Sequence, residues 1–353
     1  MPTNYAVTID TEEEWDWDAG WPVVSHSLRN LSTAPAFHAL CKTHGARTTW
    51  FTNWSVMNQE NGRATILDIT ANEDAELGMH IHPWITPPIS PDDNTSARQS
   101  FLHNSPASVI HQKLDTVWRI FTEHGCKPRS FRGGRYSCGP EIQKFLQHPD
   151  RAFIADASVV PFTKWDDDGA PDYRDRDLQP NRLNPTQEGA SAMWEIPCTL
   201  AYTRNNMEFW AEAFDRIEHS FLRHLRLSGI LGTTGIVRRV WLNFEFTPAD
   251  EMIALLTFLE KLNLPCITLT IHSSSLMKGG NSYSATQKDV DDIFQRTEQV
   301  LGWLAENKSF EPATIAEIAQ GLERDYLTQQ QPATTNTATT NTATTNTATR
   351  ERA

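Results

Sequence analysis

The sequence predicts an α/β chain folded as a distorted (β/α) barrel of seven or eight parallel strands, on three observations. Short apolar runs alternate with stretches of helical spacing along most of the 353 residues, the pattern of βα units carrying a parallel sheet. Eight such runs occur, enough to close a barrel rather than leave an open sheet. Most of the runs also end in a titratable side chain. In a parallel barrel every strand ends on the same face, so residues distant in the chain converge there.

Along the chain, YAVTI at 5–9 leads into Asp10, and RTTWFTN follows at 47–53. ELGMHIH at 76–82 carries His80 and His82, SFRGGR at 130–135 carries Arg132 and Arg135, and AFIADAS at 152–158 carries Asp156. MWEIPCTL at 193–200 and RVWLNF at 239–244 precede CITLTIH at 266–272, which ends in His272. These runs are rich in the β-branched and aromatic residues that favour strands. Helical spacing marks 106–124, 209–227 and 248–262. The pentad TTNTA then repeats three times over 334–348, too polar to bury the surface that ordering requires. The expected organisation is one barrel domain over 1–325 and a disordered low-complexity tail over 329–353.

Charge and composition narrow the function classes. At 39% hydrophobic, the chain can build a large core. A formal net charge of −13 argues against a nonspecific binder of nucleic acid or anionic membrane, because a polyanion gains nothing from an acidic partner. Five scattered cysteines without C-x-x-C spacing indicate neither a disulfide framework nor a thiolate zinc site. No apolar stretch reaches bilayer length, and no basic segment followed by an apolar one opens the chain, so a soluble cytoplasmic protein without a membrane span is expected.

Within GMHIHPW, His80 and His82 sit two apart and share one side of a strand, with Pro83 ending it. Two neutral imidazoles suit zinc and similar ions; a half-exposed strand with solvent-facing histidines reads the same way. Asp10 and Glu12 are also two apart, and a carboxylate added to two imidazoles leaves a fourth position open for water, the catalytic arrangement. Glu13, Glu14, Asp16 and Asp18 are expected in a solvated loop. SFRGGRYSCG sets Arg132 and Arg135 around two glycines, where backbone and guanidinium can approach a ligand closely, or where a turn simply exposes two arginines. His272, before three serines, suits a general acid, or is a core histidine.

These four segments, in this order, resemble the polysaccharide deacetylases with NodB homology, carbohydrate esterase family 4. FIADASVVP (153–161), APDYRDRDLQP (170–180) and HSSSLMKGGNSYSAT (272–286) are similar to its WalW-like, lipopolysaccharide-biosynthesis branch. Residues 5–322 take part in the likeness. The chain departs from the commonest pattern in three places: Thr11 separates Asp10 from the second acid, the histidines are two rather than four apart, and Arg-Gly-Gly-Arg replaces arginine followed by prolines.

The resemblance implies a hydrolase that removes an acetyl group from an N-acetylated glycan with a divalent metal, zinc above all. It implies Glu12, His80 and His82 as metal ligands, Asp10 as base, Arg132 as the residue orienting it, and His272 as acid to the leaving amine. Arg135 and Trp84 are expected at the substrate, Trp84 as a stacking platform. Two other readings share these residues: a metal hydrolase of small cyclic amides, and a deacetylase-like glycan-binding module without catalysis.

Overall fold

Strand β1 (Thr3–Thr11) is buried along almost its whole length, as expected of an apolar, β-branched run in a parallel sheet covered on both faces. In the computed structural model, which describes residues 2–17, 20–21, 27–89, 96–185, 188–218 and 237–330, β1 is also the hub of the sheet. It pairs in parallel with β2 (Thr48–Thr52), β10 (Cys266–His272) and β11 (Phe310–Pro312). Beyond β2 come β3 (Ala75–Ile81), β4 (Ser130–Gly133), β5 (Ala155–Asp156) and β7 (Met193–Glu195), all parallel. The result is a curled sheet of eight parallel strands, the distorted (β/α) barrel that the sequence predicts.

Two departures have local causes. β6 (Asn181–Leu183) joins the edge antiparallel to β7; the link between them is shorter than the dozen or so residues that a parallel crossover needs. The run at 193–200 splits at Pro197, which cannot donate a ladder hydrogen bond. Only its last residue enters the next strand, β8 (Leu200–Tyr202), paired antiparallel with β9 (Arg239–Trp241). β9 rejoins the barrel through a parallel bridge from Asn243 to Thr270 on β10.

Side chains alternate across β2 with the period of a strand. Phe51 turns inward to Ala6, Ala155, Ala157 and Ile196, while Trp50 turns outward. The outer layer comprises α1 (Ala34–Thr43), α2 (Trp54–Asn58), α3 (Glu60–Thr70), α4 (Ala107–Glu123), α5 (Pro140–Leu146), α6 (Met207–Glu218), α7 (Ala249–Leu259), α8 (Gln287–Glu306) and α9 (Ile315–Gln330). Helix α4 buries Ile110, Leu114, Val117 and Phe121, one stripe at helical spacing. Its Lys113, also buried, donates to the carbonyls of Pro83, Thr86 and Pro88 at 2.8, 2.7 and 2.6 Å, and so fixes the segment after His82.

Helix α9 runs unbroken to Gln330, past the expected tail boundary; the pentad repeats, Asp18 and the second half of the expected 209–227 helix lie outside the described residues. Among the described residues, no helix is long and apolar enough to cross a membrane.

Candidate active site

Parallel register places the polar strand ends side by side. Asp10 lies opposite His272 across β1 and β10, and His80 opposite Arg132 across β3 and β4. Arg132 Nη1 donates to Asp10 Oδ1 at 2.7 Å. The rest of that buried guanidinium is held by the Ala157 carbonyl at 3.0 Å, Thr8 Oγ1 at 3.0 Å and the Phe51 ring, 4.5 Å away. Burial alone would raise the Asp10 carboxyl, but Arg132, His80 and His272 outweigh it and hold Asp10 below the usual carboxylate range.

Asp10 Oδ2 faces His272 Nε2 at 3.8 Å, too far for a direct hydrogen bond. On its other side, His272 Nδ1 donates to the Glu245 carboxylate at 3.0 Å. Glu245 is fixed in turn by Asn243 at 3.1 Å, by a short bond from Ser275 and by the His272 backbone N–H at 3.2 Å. Burial opposes a charge on His272, yet Glu245, Glu12 and Asp10 prevail and push it up to about 10.

Glu12, His80 and His82 meet 1–2% exposed, with one ligand atom from each within 4.8 Å of the others. His82 Nε2 is 3.1 Å from Glu12 Oε2 and 3.0 Å from His80 Nε2. Each ring spends its other nitrogen on an acceptor: His80 Nδ1 on the Arg132 carbonyl at 2.7 Å, His82 Nδ1 on Glu13 Oε1 at 3.1 Å. Those bonds assign the tautomers, because neither partner can donate. In both neutral rings the Nε2 lone pairs therefore point at one another, an arrangement relieved only by a proton or a cation between them.

Three observations fit a divalent cation. Glu12 Oε1 is buried without a hydrogen-bond partner. Burial raises Glu12, the response of a carboxylate waiting for positive charge. Four buried carboxylates, Asp10, Glu12, Glu13 and Glu245, face Arg132 and a protonated His272, which leaves two negative charges for the ion to balance. The hard-soft character of one carboxylate and two imidazoles suits zinc. Burial also lowers His80 to about 3, whereas Glu12 and Glu13 overcome burial at His82 and raise it to about 9. In the metal-free chain the proton accordingly sits on His82.

The expected solvated loop is corrected at two of its acids. Glu13 is fully buried, held by Asn53 Nδ2 and Ser55 Oγ at 2.7 Å each. Burial would raise it; His82 and these two donors instead bring it down to about 2. Glu14 is buried too, accepting from Asn30 N at 2.6 Å, Ser27 at 2.9 Å and Arg29 at 3.1 Å. The cause is that Asn53, Ser55 and His82 close around Glu13, and Ser27, Arg29 and Asn30 around Glu14, so only Asp16 reaches solvent among the three described.

Above these groups lies a pocket of about 300 Å³. Arg135 reaches its wall from a strained turn, in which Arg135 and Tyr136 both adopt positive φ, 53° and 57°. A side chain at Gly134 would stand 2.5 Å from His82 Cδ2, so that glycine is required for the close approach. The Arg135 guanidinium sits 4.9 Å from the Trp21 ring and 4.1 Å from Phe101, bonded to Asp167 and Ser100. Trp84 is a correction. It is fully buried, absent from the pocket wall and stacked beneath His82 with 4.2 Å between ring centroids, because Lys113 draws its segment down onto α4. It supports the imidazole and offers no face to a substrate. Glu245 escaped the sequence reading, although the rule that apolar runs end in titratable groups applies to it at the end of RVWLNF.

The fold and site together define a distorted (β/α) barrel with a carboxylate–imidazole centre in its mouth. No protein-family model and no curated protein sequence matches the chain. Its fold matches a protein assigned as a polysaccharide deacetylase from Mycobacterium smegmatis, with TM-score 0.53, 12% identity and 92% of each chain covered. A similarly assigned polysaccharide deacetylase from Pseudomonas aeruginosa PAO1 gives 0.51, 14%, and 92% and 91%. A protein assigned as a glycoside hydrolase/deacetylase from Parabacteroides distasonis gives 0.55, 11%, and 92% and 72%. A 4-alpha-glucanotransferase from Thermococcus litoralis shares the barrel, at TM-score 0.51 and 10% identity over 40% of its length. At these identities the likeness is one of fold.

Proposed function

We propose that the chain is a zinc-dependent hydrolase that removes the N-acetyl group from an amino sugar of a glycan or glycan precursor. The observation that carries this reading is the pair of imidazole Nε2 atoms 3.0 Å apart beside Glu12, with an acid–base pair, Asp10 and His272, 3.8 Å from one another in the same pocket. The sequence resemblance and the deacetylase-type fold of the neighbours supply the substrate class. We assign catalysis to the barrel over residues 1–325, with residues 329–353, which carry the repeats, as a tail; the scattered free cysteines suit the reducing cytoplasm.

When bound, the cation supplies Lewis-acid chemistry, acidifying water and polarising the amide carbonyl. Glu12, His80 and His82 would hold it. Asp10, kept ionised by Arg132, takes the proton of the attacking water at Oδ2 as the oxygen bonds to the carbonyl carbon. His272, kept protonated by Glu245, gives its Nε2 proton to the nitrogen as the carbon–nitrogen bond breaks. The net reaction consumes one water and yields acetate and a free amine. Arg135 contributes to the wall that receives the sugar.

The test is metal content and acetate release from N-acetylated amino sugars. His80→Ala is expected to lose metal and activity together; His272→Ala keeps metal and loses turnover. Equal metal retention in both variants, or a metal-loaded wild type that releases no acetate, refutes the reading.

A further inference from the structure

The pocket is lined by rings drawn from several strand ends of the barrel. Trp17 follows β1, Phe101 follows β3, Tyr136 follows β4, Trp165 follows β5, Trp241 ends β9 and Tyr283 follows β10. Neighbouring rings meet edge to face, tilted or stacked. Trp17 meets Tyr283 at 5.6 Å between centroids, and Tyr283 meets Phe246 at 5.4 Å. Phe246 then meets Trp241 at 6.0 Å, Trp241 meets Tyr136 at 5.6 Å, and Tyr136 stacks on Trp165 at 5.7 Å.

The circuit continues through Arg135, next to Tyr136 in the chain, whose guanidinium spans Phe101 and Trp21. Trp21 belongs to the same post-β1 segment as Trp17. Among the described residues the contacts thus trace one continuous arc from Trp17 to Trp165 and, through Arg135, a second from Phe101 to Trp21, instead of two parallel banks. The space between them, about 300 Å³, lies at the small end of the range for small-molecule pockets, roughly 300–1,000 Å³.

This shape bears on how a substrate enters. A unit inside a polymer needs a trough open at both ends, so that the chain can run in and out past the reacting amide. Here the chain would have to cross the Trp17–Tyr283–Phe246 contacts on one side and the Tyr136–Arg135–Phe101 contacts on the other. A free sugar or the last sugar of a chain needs only the opening above. Its two apolar faces match the aromatic wall, and its acetamido group reaches down to Asp10, His272 and the Glu12–His80–His82 centre.

Resting on the hydrolase reading above, we propose that the site works end-on: it deacetylates a free N-acetylated amino sugar or the terminal unit of a short chain, and leaves internal units untouched. Specificity then lies in the ring of aromatic residues, with Tyr283 and Phe246, the most exposed of them, at the point of entry.

The experiment uses the full-length, zinc-loaded chain with N-acetylglucosamine and its linear dimer, tetramer and hexamer, reading acetate and locating each free amine by tandem mass spectrometry. The expected result is one amine per oligomer, at a chain end, with kcat/KM no higher for the hexamer than for the dimer. Turnover of the monosaccharide at a comparable kcat/KM identifies a free-sugar substrate; turnover of oligomers alone identifies a chain end. Tyr283→Ala is expected to raise KM at least several-fold with a smaller change in kcat. Amines at internal positions, or kcat/KM rising steadily with length, overturn end-on entry while leaving the hydrolase reading intact. Acetate from no substrate, with zinc bound, overturns both.

Discussion

Replacing Arg132 by methionine removes the cation of the Asp10 pair and leaves a carboxylate stranded in the barrel. At 2.7 Å with both side chains almost fully enclosed, the pair's attraction is roughly 6 kcal/mol at an effective dielectric near 20. Most of that offsets the desolvation of two charges, so the intact pair adds little net stability, but removing one partner exposes the whole penalty, about 3–5 kcal/mol. The lost bond to the Ala157 carbonyl adds about 1 kcal/mol. Urea unfolding of the metal-free chain at neutral pH measures the change, with an unaltered m-value confirming that the transition is comparable. Arg132→Met is expected to lose about 4–6 kcal/mol, and the double variant with Asp10→Asn to recover several of those. Asp10 is held below its ordinary value, so its share of stability is complete at neutral pH and disappears as pH falls below the usual carboxylate range near ~4; Arg132→Met should lose that acid-side dependence. A loss below about 1 kcal/mol, or a double variant as unstable as the two singles summed, refutes the claim that the pair carries this charge balance.

Glu13→Gln keeps the shape behind His82 but removes the anion that orients it; a 10–100-fold loss of zinc affinity by chelator competition is expected, and unchanged affinity would dismiss the role. Because His82 in the metal-free chain is raised to about 9, zinc binding at pH 7–8 should expel about one proton. Calorimetry in buffers of different ionisation enthalpy reads that number, and zero would show His82 already neutral. Glu245→Gln removes the main group holding His272 near 10. The alkaline limb of kcat/KM should move to lower pH, and a fixed limb would exclude Glu245 as its cause. Trp84→Ala should destabilise by about 3–5 kcal/mol without altering preference between sugar substrates; a selectivity change would return Trp84 to the substrate wall.

The parallel barrel was legible because period and run length report burial directly, and each apolar run that ends in an acid, a histidine or an arginine names a strand's carboxyl end. That rule locates Asp10, His80, Arg132 and His272, and parallel register does the rest. What it cannot convey is direction beyond a strand end. Glu12 and Glu13 are adjacent in sequence, yet one turns to the imidazole nitrogens at the centre and the other to the back of His82. Trp84 looks like a ring at the mouth until Lys113, on a helix over twenty residues later, pulls its segment down. Both outcomes depend on contacts between separate elements, which local pattern does not encode.

The first strand is flanked by β10 and β11 from the last third of the chain, through contacts such as the Thr3 hydroxyl to the Leu264 carbonyl, 261 positions away. A ribosome adding roughly 5–20 residues each second takes on the order of 13–50 s to deliver those partners. Until then β1 has an open apolar edge toward the missing strands, and folding must wait on long-range pairing, which is intrinsically slow. Nascent chains therefore stay exposed to aggregation until those strands have been made. No fragment lacking the C-terminal third can bring His272 to Asp10, which ties the completion of the acid–base pair to the completion of the polypeptide.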